Sequence, residues 1–267
     1  MVNPQAAFGA KVRGAAHIKN GKPCQDALLI STDEEKRYFA VYVADGHGSA
    51  QCAYSDDGAQ VAVESAHSVF YSIFCENTPA EAGELLNAHK DIWLPKKIES
   101  EWKERVKKFH SDKERMLSEP FPFLLYGSTL LVLIVSDGFI FSMQLGDGDI
   151  VSISDGKADW ILKPERVGVY VHSLCLENSW QYFRSVWTPQ PEGTESPEMF
   201  LVSTDGYSDC FLSDAGFLQA VTDIHHLFKS SGKEATEEQL AHWLEESSAA
   251  GSGDDITLAI LPSGNIV

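Results

Sequence analysis

Lys and Arg number 21 against 39 Asp and Glu in this 267-residue chain, and the net charge of −18 disfavours any sequence-independent grip on nucleic acid or anionic membrane. A hydrophobic fraction of 43% supplies a core and excludes disorder, while length alone leaves one large domain and two small ones both open. Cys24, Cys52, Cys75, Cys175 and Cys210 are odd in number and never spaced Cys-x-x-Cys, which indicates neither a disulfide framework nor a zinc knuckle. With no signal-peptide stretch and no run long enough to span a bilayer, the expectation is a reduced, cytoplasmic, soluble protein.

The first strong element is an apolar strand over 38–44, ending at Asp45-Gly46-His47-Gly48. A helix over 57–74 follows, and Thr78-Pro79-Ala80-Glu81 reads as an N-cap, a proline at the first helical position and a capping-box glutamate. That second helix is expected to run on through the Lys/Glu-rich stretch 96–113, kinked or divided at Pro95. Strand pairs 130–135 with 139–145 and 150–153 with 158–162 flank Asp137-Gly138 and Asp155-Gly156, so both read as hairpins. A strand over 199–204 then leads to Asp205-Gly206, with no return strand directly after it. Helices are expected over 214–229, stopped by Gly232, and from a capping box at Thr236 to about 247, before a last strand over 256–261. His225-His226 falls in the first of these, one facing the core and one the surface. The absence of regular strand–helix–strand alternation predicts antiparallel sheets with segregated helices, an α+β class.

Asp26, Asp45, Asp147, Asp205 and the pair Asp254-Asp255 all stand where apolar strands meet polar turns. Carboxylates without cysteines or paired helical histidines suit a hard cation, Mg²⁺ or Mn²⁺, rather than zinc. Two such ions sharing a carboxylate can activate a water and clamp a phosphoryl oxygen, which is a hydrolase design. His47, two residues after Asp45, is placed to protonate a leaving alkoxide. Each residue has a plainer reading as well: Asp45-Gly46 as an ordinary turn, His47 as a surface or capping histidine, Asp147 as a hairpin aspartate, Asp254-Asp255 as a solvated turn.

Taken in order, KPCQDALL (22–29), FAVYVADGHG (39–48), GSTLLVLIV (127–135), MQLGDGDIV (143–151) with FLVSTDGYSD (200–209), and GSGDDITLAIL (251–261) resemble the protein phosphatase 2C family. The resemblance spans the whole chain as a single catalytic domain, 1–267. It implies a four-layer αββα sandwich, two antiparallel sheets flanked by helix pairs, and a metal-dependent serine/threonine phosphatase of bacterial type. Matched residue by residue, Asp45 would bridge two Mn²⁺ or Mg²⁺ ions, with the Gly46 carbonyl on the second and Asp205 and Asp254 completing the first. Asp26 would act on the second ion directly or through water, Asp147 would join Asp205 at a third, weaker ion, and His47 matches the general acid. Gly127-Ser128-Thr129 matches a family element best read as packing and strand capping.

The chain departs from the family where many members carry a phosphate-binding arginine five residues before Asp26; Gly21 stands there. Arg13, His17, Lys19 and Lys22 are the nearby basic groups, on an expected flexible loop over 14–22, and Arg13 is the one assigned. Gln25 stands where the family usually has glutamate. The implied partner is a phosphorylated protein with a cognate serine/threonine kinase, acted on by a monomer; the alternative is a pseudophosphatase that binds without turnover. The Lys/Glu-rich helix around 99–113 reads as a solvated face.

Overall fold

The computed structural model describes residues 7–32, 38–116, 120–164, 171–191, 193 and 195–263. Two five-stranded antiparallel sheets form its centre. One runs in the order β1 (Phe8–Val12), β10 (Ile256–Pro262), β9 (Met199–Ser203), β6 (Asp149–Ser154), β7 (Lys157–Leu162); the other runs β2 (Ala27–Thr32), β3 (Tyr38–Ala44), β4 (Leu130–Ser136), β5 (Phe139–Leu145), β8 (Arg184–Pro189).

The central strands are apolar at every position because both of their faces are covered. In β3, Phe39, Val41 and Val43 enter the layer between the sheets, where they share a cluster with Leu131, Phe200 and Leu261. The alternate residues Tyr38, Ala40, Tyr42 and Ala44 point outward against α2 (Ser55–Glu76) and α4 (Trp93–Asp112). On the other sheet, Met199, Leu201, Ile256, Leu258 and Ile260 meet Phe217, Val221, Leu240 and Leu244 of α6 (Asp214–Ala250). The period of two along a strand thus feeds two cores at once, and the result is the four-layer αββα sandwich.

Both expected hairpins are present, and Asp155 and Gly156 take φ of 51° and 68° at the tip of the second. The Thr78 capping box opens α3 (Pro79–His89) as expected. Of the two outcomes expected near Pro95, division is the one found: α3 ends at His89 and α4 begins afresh at Trp93, with Pro95 in its first turn, where its missing N–H costs nothing. Two expectations change. α6 is interrupted at Gly232 alone (φ 80°), and the helix resumes before Thr236, whose hydroxyl donates back to the Gly232 carbonyl at 2.8 Å instead of capping a new start. Residues 14–22 are not a flexible loop: α1 (Ala15–Asn20) occupies them, closed by Gly21 in the left-handed region. Within α6, His225 is buried and His226 exposed. All five cysteines are free thiols, and among the described residues no helix is long and apolar enough to cross a membrane.

Candidate metal centre

Antiparallel pairing brings the carboxylates to one end of the sandwich. Asp45 leaves the C-terminal end of β3 beside the start of β2, which Asp26 precedes, since Ala27 pairs with Ala44. Asp205 leaves β9 beside the start of β10, where Asp254 and Asp255 stand. Asp147 lies in the turn joining β5 to β6, and Asp149 pairs with Ser203 at that same end.

Asp45 is clasped by its neighbour strand. Its N–H donates to Thr129 Oγ1 at 2.9 Å, and Thr129 N–H donates to the Asp45 carbonyl at 2.8 Å. Gly46 N–H donates to the Gln25 carbonyl at 3.1 Å, and a Cβ at Gly46 would fall 2.4 Å from the Ser55 carbonyl oxygen, so only glycine fits there. His47 N–H donates to the Gly127 carbonyl at 3.0 Å. The Gly127-Ser128-Thr129 element therefore does cap a strand, and what its threonine holds in place is Asp45.

The electrostatics of this end are those of crowded carboxylates. Burial pushes the Asp45 carboxyl well above its usual range, and Asp205, Asp26 and Asp254 push the same way. Burial and then Asp147 raise Asp205 to about 7. Asp26 is buried and raised as well, chiefly by burial, although Thr204 Oγ1 donates to its Oδ2 at 2.9 Å. His47 is lowered by burial.

Asp254 and Asp255 divide their labour. The Asp254 side chain is 57% exposed at the mouth of the cluster. Asp255 is buried, accepting from Gly14 N–H at 2.6 Å on Oδ1 and from Gln25 N–H at 2.6 Å on Oδ2, with His17 Nδ1 2.8 Å from Oδ2. Among the basic groups, Arg13 is exposed at the end of β1, while Lys22 Nζ donates to the Gly48 carbonyl at 2.6 Å, against the loop that carries His47. Sequence reasoning missed the roles of Thr204 and Asp255. The only signal was an Asp-Asp pair before an apolar strand, which does not say which member is buried.

A cavity of about 320 Å³, lined by Trp160, Lys163, Phe211, Leu212 and Phe217 among others, includes none of Asp26, Asp45, Asp205 or Asp254.

Residues 13–245 match the family Protein phosphatase 2C, and the chain belongs to that family. No curated protein matches it in sequence. Among solved structures it is similar to a C. elegans sex determining protein (14% identity, TM-score 0.63), covering 98% of this chain and 64%, just under two thirds, of that one. It is also similar to Stp1, a serine/threonine phosphatase from Staphylococcus aureus (13% identity, TM-score 0.65, covering 99% and 96%). The S. agalactiae serine/threonine phosphatase is a further match (13% identity, TM-score 0.62, covering 97% and 99%). By family the chain is a phosphoprotein phosphatase.

Proposed function

We propose that this phosphatase is metal-dependent and hydrolyses phosphoserine and phosphothreonine in proteins, using Asp45, Asp205 and Asp254 for a first Mn²⁺ or Mg²⁺ and Asp45, the Gly46 carbonyl and Asp26 for a second. The observation that carries this reading is the convergence of Asp26, Asp45, Asp205 and Asp254 on one end of the sandwich, where burial first and neighbouring carboxylates second raise Asp45, Asp26 and Asp205. An all-oxygen set under that strain fits a hard divalent cation. Asp147, which bears on Asp205, would hold a third and weaker ion. When bound, the ions supply an activated water and neutralise phosphoryl oxygens.

The chain's own residues do the rest. Thr129 fixes Asp45 between the two sites, and Thr204 fixes Asp26. His47, held through its backbone by Gly127, donates the proton that a serine or threonine alkoxide needs on leaving. Arg13 or Lys22 meets the substrate phosphate; Lys22 has the better support, because its ammonium already sits on the His47 loop. The substrate would be a phosphoprotein supplied by a cognate serine/threonine kinase, the enzyme a cytoplasmic monomer, in keeping with its free thiols and acidic surface.

Phosphate release from a phosphothreonine peptide with Mn²⁺, with Mg²⁺ and with chelator tests the reading, on the wild type and on Asp205→Asn. Turnover is expected only with metal and is expected to fall by at least two orders of magnitude, about 10², in the variant. Undiminished turnover with chelator would overturn the mechanism, and bound metal without turnover on any peptide would make the chain a pseudophosphatase.

A further inference from the structure

Basic residues are scarce in this chain, 21 against 39 acidic ones, yet α4 gathers Lys96, Lys97, Lys103, Arg105, Lys107 and Lys108 on a few turns. At about 100° per residue, Lys96, Lys103 and Lys107 fall within about 40° of arc around the helix axis. They form one stripe. Lys103 pairs with Glu99, and Arg105, off the stripe, with Glu101, whereas among the described residues no carboxylate pairs with Lys96 or Lys107.

What separates this stripe from a merely solvated helix face is the rings against it. Lys96 Nζ lies 4.2 Å from the centroid of the Trp180 ring, and Lys107 Nζ lies 5.5 Å from that of Phe123, which Lys103 also meets at 5.6 Å. An ammonium held over a ring has already given up side-chain freedom, so pairing it with an incoming carboxylate costs less. The surroundings are apolar as well. Of the nine large hydrophobic side chains exposed among the described residues, Ile92, Trp93, Met116, Leu124 and Tyr182 stand at or just beyond the ends of α4, or beside Phe123 and Trp180 in sequence. Apolar groups exposed together around a charged stripe mark an interaction surface.

The stripe adjoins the reaction site. Phe123 begins a short 3₁₀ turn (Phe123–Tyr126) that leads into Gly127, the residue on which His47 rests. The Lys103 ammonium bears on the thiol of Cys175, whose sulfur lies 3.3 Å from the point a Cβ on Gly127 would occupy.

We propose that Lys96 and Lys107, with Trp180 and Phe123 as an apolar floor, dock an acidic segment of the phosphoprotein substrate beside its phosphorylated residue. The inference rests on the phosphatase reading above and adds how the substrate is chosen. The two lysines stand about 16 Å apart along the helix axis, the length of about five residues of extended peptide. Carboxylates about four to six residues apart in an extended segment therefore reach both. The net charge of −18 repels such a segment over the rest of the surface, so the stripe dictates where it lies.

The test compares Mn²⁺-dependent hydrolysis of phosphothreonine peptides of equal length, with glutamine flanks, with glutamates before the phosphothreonine, or with glutamates after it. Overall charge alone makes both acidic peptides the poorer substrates. The stripe predicts the reverse for one of them: a KM about fivefold to tenfold below that of the glutamine peptide, similar kcat, and an advantage that shrinks as salt is raised. Lys96→Glu combined with Lys107→Glu should abolish the advantage and leave p-nitrophenyl phosphate hydrolysis unchanged. Lys96→Arg with Lys107→Arg should keep it, as should Lys108→Glu, a charge change outside the stripe. Should the double reversal not fold, the wild-type KM ranking and its salt dependence decide. An equal or higher KM for both acidic peptides, an advantage that survives the double reversal, or one lost equally in Lys108→Glu overturns the proposal. If the wild type hydrolyses no peptide, the phosphatase reading has failed, and fluorescence anisotropy of the unphosphorylated acidic peptides then decides the docking. Binding that the double reversal removes supports the surface, and no binding overturns it.

Discussion

The imidazole of His47 owes its position to Gly127. A Cβ on that glycine would lie 2.7 Å from His47 Cδ2 and 3.3 Å from the sulfurs of both Cys52 and Cys175, so the ring edge packs against bare backbone. Because burial lowers this histidine below 6.5, its protonated, proton-donating form declines as pH rises through the acidic side of neutrality. His47→Gln is therefore expected to slow phosphothreonine peptide hydrolysis by about 10²- to 10⁴-fold. Hydrolysis of p-nitrophenyl phosphate, whose leaving group departs without a proton, should fall far less, and equal losses on the two substrates would remove His47 from the acid role. At this scale the sequence was informative about which aspartates end strands, since Asp45 and Asp205 each close an apolar run. It was silent about what holds them: Thr129 reaches Asp45, and Thr204 reaches Asp26, across strand pairings that local pattern does not reveal.

Among the elements, α6 shows how far local signals carry. Gly232 was legible as an interruption, because glycine alone enters the backbone state found there, φ 80° and ψ −178°. The Thr236 box was misleading: the same residue types cap a helix or bond back within one, and here Thr236 is buried while Leu240, one turn on, joins the core with Phe8 and Leu258. Nothing lies within 4 Å of the position a Cβ on Gly232 would take, so Gly232→Ala meets no steric clash and only the backbone penalty remains. It should lower stability by about 1–3 kcal/mol in urea unfolding, with metal affinity unchanged. A neutral or stabilising result would mean that the two halves of α6 straighten into one helix at no cost. The short strands β1, β2 and β8 escaped sequence reasoning because each is half-exposed at a sheet edge or beside one, without a long apolar run to announce it.

Over the whole molecule, the acidic end of the sandwich sets a pH dependence. Asp45, Asp26 and Asp205 are raised in the folded, ion-free chain, so between the ordinary value of 3.8 and about 7 the native state holds more protons than the unfolded one. Stability of the ion-free protein accordingly falls as pH rises through that window. Thermal unfolding in chelator should show a higher Tm at pH 5.5 than at pH 7.5, and Mn²⁺ should raise Tm more at pH 7.5, where fewer protons compete for the carboxylates. A Tm in chelator that climbs across this range would contradict the crowding of these groups. The buried bond between Asp255 and Gly14 joins positions 241 residues apart, and β1 pairs along its length with β10. Chains fold from the N-terminus as they are synthesised, so a nascent chain that already displays Asp26 and Asp45 still lacks the strand that anchors its first segment. Assembly of the carboxylate cluster thus waits for β10: a fragment that stops short of it lacks Asp254 and Asp255 and leaves both β1 and the Gly14 N–H without their partners.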